Sequence, residues 1–268
     1  MNLLLTRPSQ TPTRRVRWIA WLVAAQLLVA LSPAGASESV DAEWCELPLN
    51  LRTEAPPFGL GPCPGVRPGA FVDIDHQAGC TLNFLFVGTG GTRYMGTAGH
   101  CAVDDGQEVV FTSGQAPVAY DSTRRRIGEF AYAVNNDDRD FALIRLDSGV
   151  EAKPQMCHFG GPTGLSDPSF TASPDVIQHF GQGLVFGQTV AARSGAGHLS
   201  QPGYHFATTA AIFGDSGSGV QLANGSAVGV LVAISPLGIV ITRLAPQVER
   251  ARQMLGLDSL VLQTAPQL

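Results

Sequence analysis

From Phe71 onward the chain runs as short apolar stretches cut apart by turn residues. Thr81–Val87, Glu108–Thr112, Ile127–Val134, Phe141–Leu146, Gly183–Ala192, Val220–Leu222, Ala227–Ile234 and Ile239–Leu244 read as strands. Charge is sparse at 15% and glycine numbers 31, which suits strands and turns better than solvent-facing helices. This pattern constrains the fold class to all-β. The segment 160–175, with Pro162, Pro168 and Pro174, lacks a strand pattern and divides the strands into two groups. Asn224-Gly225 predicts a two-residue hairpin turn, and with Ser226 it also spells a glycosylation acceptor. One helix is predicted at Gln247–Leu255, within 246–256, from Val248, Ala251, Met254 and Leu255 at helical spacing.

The first 36 residues read as a signal peptide. Arg7, Arg14, Arg15 and Arg17 form a positive leader, Trp18–Leu31 is apolar, and Ala34-Gly35-Ala36 is a small-residue cleavage site. A membrane anchor is the alternative, but a span needs roughly 20 apolar residues. Arg14-Arg15 leaves export open between the general and the twin-arginine route. Cleavage leaves 13 basic against 22 acidic residues, a net −9, which argues against nucleic acid as a partner. Residues 37–68, rich in Pro and Gly, read as a leader or short pro-segment, and 257–268 as a tail. Cys45, Cys63, Cys80, Cys101 and Cys157 all lie in the exported part, where disulfides are expected. None stands in a C-x-x-C pair, so no zinc site is expected, and no metal or cofactor.

Three stretches carry chemistry. In Phe213-Gly214-Asp215-Ser216-Gly217-Ser218-Gly219, glycines surround a serine, so a sharp turn can present its hydroxyl. The N–H groups of Gly214 and Ser216 can then face one oxygen, as an oxyanion hole requires. Thr97-Ala98-Gly99-His100-Cys101 places a histidine beside a cysteine. Asp140-Phe141-Ala142-Leu143-Ile144 places an acid at the head of an apolar strand, where it reads as a cap or solvated turn residue or, if buried, as an acceptor for a histidine ring N–H. His76, His158, His179, His198 and His205 read as structural.

In the order His100, Asp140, Ser216, these stretches resemble the signature motifs of the chymotrypsin-like serine proteases, over roughly residues 70–256. The resemblance implies two packed six-stranded antiparallel β-barrels with a C-terminal helix. Barrel one would span about 69–160 and barrel two about 175–245, together forming a peptidase domain of 69–256. It implies a Ser216 nucleophile, a His100 base, an orienting Asp140, and Gly214 and Ser216 as oxyanion donors. Gly79-Cys80-Thr81-Leu82-Asn83-Phe84 is similar to the first disulfide strand of the bacterial streptogrisin-like branch, which implies a Cys80–Cys101 bridge. No Ile-Val-Gly-Gly terminus precedes Phe71. Ala192-Arg193-Ser194-Gly195 instead resembles the internal segment whose arginine pairs with the acid before the serine, here Arg193 with Asp215. A surface arginine on a hairpin is the alternative.

The same resemblance places the specificity pocket at Ala210, Ala211, Val232 and Ile234. No acid stands there for Lys or Arg, so small or medium apolar residues are expected. Two positions depart from the family. Val232 stands where a serine is usual and cannot donate to Asp140. Ile234 stands where a glycine is usual and would narrow the pocket. Ser218 replaces a common glycine. Cys157 is open to Cys45 or Cys63, with a local Cys45–Cys63 loop and a free Cys157 as the alternative. Arg124-Arg125-Arg126 reads as a solvated hairpin or a processing site. The expectation is a secreted, monomeric serine endopeptidase acting on proteins or peptides, with no membrane anchor after signal cleavage. An inactive binding module and an esterase with the same triad are the rivals.

Overall fold

The computed structural model describes residues 63–171, 175–183, 192–236 and 238–268, all within the unit Val40–Leu268. The signal segment, Cys45 and most of the stretch expected as a strand at Gly183–Ala192 lie outside the described residues. No described helix is long and apolar enough to cross a membrane.

Barrel one is built from β1 (Phe71–Ile74), β2 (Ala78–Thr81), β3 (Leu85–Gly88), β4 (Arg93–Thr97), β5 (Gln107–Val110), β6 (Val118–Tyr120), β7 (Arg126–Asn136) and β8 (Arg139–Leu146). A C-terminal strand, β16 (Leu260–Leu262), joins them. The order is β16-β3-β4-β8-β7-β6-β1-β2, with β5 paired to β7. Thr81–Val87 is therefore not one straight strand, as its apolar pattern predicts. It breaks at Leu82–Phe84, where the backbone turns from one neighbour to the next. Leu82 exchanges hydrogen bonds with Gly69 and Ala70, whereas Asn83 and Phe84 bond Gly96. This half-barrel sheet thus curls round by a bend in the chain, not by a ladder between end strands.

Barrel two comprises β9 (Gly164–Leu165), β10 (Asp175–Phe180), β11 (Ala192–Ser200), β12 (Tyr204–Thr208), β13 (Gly219–Leu222), β14 (Ser226–Ser235) and β15 (Gly238–Arg243). Six of them close on themselves in the order β13-β10-β11-β12-β15-β14, with β14 returning to β13. The short β9 lies in the proline-rich connector and pairs parallel to β14. The β13–β14 connection is longer than the predicted two-residue turn. A turn from Leu222 to Gly225 is closed by Gly225 N–H to Leu222 C=O at 2.8 Å, and the ladder shifts register beside it.

Strand identity follows burial. In β7, Ile127–Val134 is buried throughout, and in β8 so is Asp140–Ile144. One face fills the barrel and the other is covered by neighbouring chain, so the runs read as continuous apolar stretches, not alternating ones. Phe84, Phe86, Phe130, Tyr132 and Phe141 fill one core, which extends to Val232 of β14 and Val248 of the helix. Phe170, Ile177, Val220, Val228, Leu231, Ile239 and Ile241 fill the other.

The helix α1 spans Leu244–Met254, three residues earlier than its expected start. Pro246 falls in its first turn, where a missing N–H has no intrahelical partner to lose. Arg250 fastens α1 to barrel one through both Glu108 oxygens, each at 2.8 Å. Beyond the helix, β16 pairs with β3, and Leu260, Leu262 and Ala265 are buried. The chain then crosses to the connector. Ala265 N–H bonds Pro162 C=O at 2.8 Å, and Leu268 N–H bonds Phe159 C=O at 2.7 Å. What the sequence suggests as a tail is a strap over both barrels and their junction.

Cys63 is bonded to Cys157, which excludes the local Cys45–Cys63 loop. Cys63, Val66 and Arg67 are buried, so this end of the expected leader is part of the packed body.

Candidate active site

The strand β4 delivers the chain into a 3-10 turn, Gly99–Cys101, which carries His100. Cys101 anchors that turn through its disulfide to Cys80 at the end of β2 (S–S 2.00 Å). Next to β4, strand β8 holds Asp140 at its second position, opposite Asn135 of β7. The buried run Phe141–Ile144 fixes the strand that carries this acid.

His100 and Asp140 meet. The ring Nδ1 of His100 donates to Asp140 Oδ2 at 2.6 Å. The other carboxylate oxygen, Oδ1, accepts the backbone N–H of Gly99 at 2.6 Å and of His100 at 3.0 Å. Asp140 is 7% exposed, so three donors hold a carboxylate almost free of water. Such bonds set the ring's orientation and its tautomer, leaving Nε2 to accept a proton. The His100 side chain is about one-third exposed. Beside it lies an open hollow of about 270 Å³ lined by His100, Cys101, Ala102, Val103, Asp104 and Gln107.

Ser216 comes from barrel two, in the loop before β13. Gly214 and Gly217 take φ of 100° and 93°, a region that favours glycine. A side chain at Gly217 would also strike Thr81 and Thr97, and its Cβ would lie 3.0 Å from Ala98 N. The serine loop is thus pressed against the end of β4, two residues short of His100. Gly217 N–H bonds Leu231 C=O at 2.8 Å, and Thr81 N–H bonds Ser216 C=O at 2.8 Å.

Asp215 is fully buried and pairs with Arg193 Nη1. It also accepts the N–H of Gly183 at 2.8 Å and of Ile212 at 2.7 Å. Arg193 is itself 7% exposed, so it is not a surface hairpin residue. His179, opposite Arg193 across the β10–β11 ladder, is also fully buried. Burial and then the Arg193 charge hold its ring down to about 4.

Around the expected pocket, Ala210 is exposed, Ala211 half-buried and Ile234 53% exposed. Val232 is buried and is the extra residue of a bulge, where β14 shifts register against β15 between Leu231 and Ala233. Its apolar side chain joins the core and offers no hydroxyl to Asp140. Ser218 is fully buried, and its Oγ has no hydrogen-bond partner among the described residues. Phe213, three residues before Ser216, is 81% exposed beside the site.

Sequence reasoning left out Thr81 as a functional position, although it adjoins Cys80. It also left out Tyr204 of β12, whose hydroxyl reaches Asn136 C=O of barrel one at 3.3 Å. Only a contact between barrels gives either residue its place.

No protein-family model and no curated protein matches the sequence. Solved structures do. A glutamic-acid-specific serine protease, described as using a histidine triad in substrate binding, aligns with a TM-score of 0.51 at 17% identity. The match covers 74% of this chain and all of that one. The chain has the chymotrypsin-like fold. A chymotrypsin from Cellulomonas bogoriensis aligns at 20% identity over 72% of this chain and 96% of its own, with a TM-score of 0.49. A Nocardiopsis protease aligns at 17% identity over 74% and 98%, also at 0.49. Within the chymotrypsin-like fold, His100 and Asp140 come from barrel one and Ser216 from barrel two.

Proposed function

We propose that this protein is a secreted serine endopeptidase that cleaves peptide bonds through Ser216, His100 and Asp140. The observation that carries the reading is the Asp140 carboxylate. It is nearly dry, bonded to His100 Nδ1 at 2.6 Å and held by the Gly99 and His100 N–H groups. A purely structural aspartate at a strand end has no need of a histidine ring on one oxygen and that histidine's own turn on the other.

In this reading His100 Nε2 takes the Ser216 proton as Oγ attacks the substrate carbonyl. Asp140 keeps the ring oriented and stabilises the imidazolium that forms. The N–H groups of Gly214 and Ser216 hold the oxyanion. His100 then protonates the leaving amine, and water, activated in the same way, releases the acyl group. The buried Arg193–Asp215 pair keeps the loop in shape from beneath. No metal or cofactor enters these steps.

The exposed apolar positions Ala210, Ile234 and Phe213 support a preference for small or medium apolar residues before the cut. They offer no cation for an acidic side chain and no anion for a basic one. The two disulfides Cys63–Cys157 and Cys80–Cys101 support export to an oxidising compartment. The signal at 1–36, the absence of a lasting membrane anchor and a monomeric state belong to the same proposal. An inactive binding module is the second reading, motivated by Val232, which leaves Asp140 without a side-chain donor from β14. A peptide library cut by the mature protein tests the proposal. Cuts after small apolar residues are expected. Cuts mainly after Lys or Arg would overturn the pocket, and no cuts by folded protein would favour the binding module.

A further inference from the structure

Residues 80 and 81 touch both halves of the candidate site. Cys80 holds the His100 turn through Cys101. Thr81, from the same strand end of barrel one, reaches across to the serine loop of barrel two. Its N–H donates to Ser216 C=O at 2.8 Å. Its hydroxyl donates to Gly214 C=O at 2.8 Å and accepts the Gln182 N–H at 3.1 Å. Its own carbonyl accepts the Thr97 hydroxyl at 2.9 Å. Thr81 is fully buried, so no water competes for these bonds.

The two carbonyls that Thr81 fixes belong to Gly214 and Ser216, on either side of the peptide that carries the Ser216 N–H. A turn with both flanking carbonyls pinned keeps that N–H aimed one way. Gly217 leaves the space for this approach, since a side chain there would strike Thr81 and Thr97.

We infer that Thr81 is a positioning residue for the reaction: its hydroxyl, by bridging Gly214 and Gln182, sets the oxyanion loop against the His100 turn. The inference rests on the protease reading of the site. Thr81 touches neither substrate nor the reacting atoms. It acts by holding Ser216 and its N–H in register with a histidine tied to the neighbouring residue. Geometric errors of about 1 Å at a reacting centre cost on the order of a hundredfold in rate.

Thr81→Val keeps the shape and the backbone bond to Ser216 but removes the hydroxyl. Thr81→Ser keeps the hydroxyl. With a peptide ester substrate, Thr81→Val is expected to lower kcat about ten- to a hundredfold while KM stays within about threefold. Thr81→Ser is expected to restore kcat to within about threefold of wild type. A folded Thr81→Val with wild-type kcat, or a folded Thr81→Ser as slow as the valine variant, would overturn the inference. Amide exchange on the wild-type protein gives a second test that needs no variant to fold. The Thr81 and Gln182 amides are expected to be protected like core strands, and exchange at loop rates would also overturn the bridge. If the wild-type protein turns over no substrate, the protease reading fails, and the exchange result still decides whether the bridge exists.

Discussion

Acid should weaken this protein through His179 before it reaches the carboxylates. The residue is fully buried on β10, opposite Arg193 and close to the Arg193–Asp215 pair. Burial, with the Arg193 charge next, moves its ring from an ordinary 6.5 to about 4. In the unfolded chain the ring takes a proton near pH 6.5, but in the folded chain only near pH 4. Between those values the unfolded state holds more protons, so falling pH favours unfolding. The neutral ring's contribution is complete above pH 6.5 and lost progressively down to pH 4. At about 1.4 kcal/mol per pH unit, the drop from 6.5 to about 4 amounts to about 3 kcal/mol. That is a large part of the 5–15 kcal/mol that holds a typical domain folded. Burial pushes His205 and His158 down as well, so they act with the same sign. Glu108 and Glu129 sit at about 2, the first held there chiefly by Arg250 and the second by Ser113. They lose their contribution only below about pH 4.5, so the window from pH 6.5 to 4.5 belongs to the histidines. Urea unfolding at pH 7.5 and 4.5 measures the difference for wild type and for His179→Gln. Wild type should lose several kcal/mol, and the variant about 3 kcal/mol less. A wild-type stability that is flat over this range, or a variant with the full wild-type slope, would refute the reasoning.

Other perturbations should act in the folded state. Arg193→Met strands Asp215 in the interior and should cost about 3–5 kcal/mol in urea unfolding, with slower substrate turnover. Replacing Cys80 and Cys101 by alanine opens a loop of 21 residues and should cost about 3 kcal/mol, seen as a lower unfolding midpoint. Leu262→Ala in the C-terminal strap should cost about 2–5 kcal/mol, because truncating this buried side chain leaves a cavity. An unchanged midpoint in that variant would mean the strap is loosely held.

Much of the candidate site was legible because the chemistry proposed for it needs particular residue types in local patterns. His100 and Ser216 stand in turns, and Asp140 heads an apolar strand, each readable from a few neighbours. The strands with continuous apolar runs, such as β7 and β8, were legible for the same reason. Others were hidden. In β10 the run Asp175–Phe180 is interrupted by Gln178 and His179, and His179 is buried only because Arg193 and Val220 lie opposite. In β4 and β12, tyrosine, glycine and histidine break the apolar run although the strands pair on both sides. The strand β16 is only the three-residue run Leu260-Val261-Leu262, too short to stand out, and exists through its pairing with β3. Thr81 and the true partner of Cys63 depend on residues far away along the chain, which no local pattern encodes. The bulge at Val232 likewise needs its neighbour β15 to appear.

The most direct measurement is active-site labelling of the mature protein with a fluorophosphonate, which reacts with an activated serine hydroxyl. The wild-type protein should take up one label, on Ser216, and Ser216→Ala should take up none. His100→Ala should lose labelling by several orders of magnitude while remaining folded. Folded wild-type protein that stays unlabelled, or that labels equally well without His100, would contradict the account.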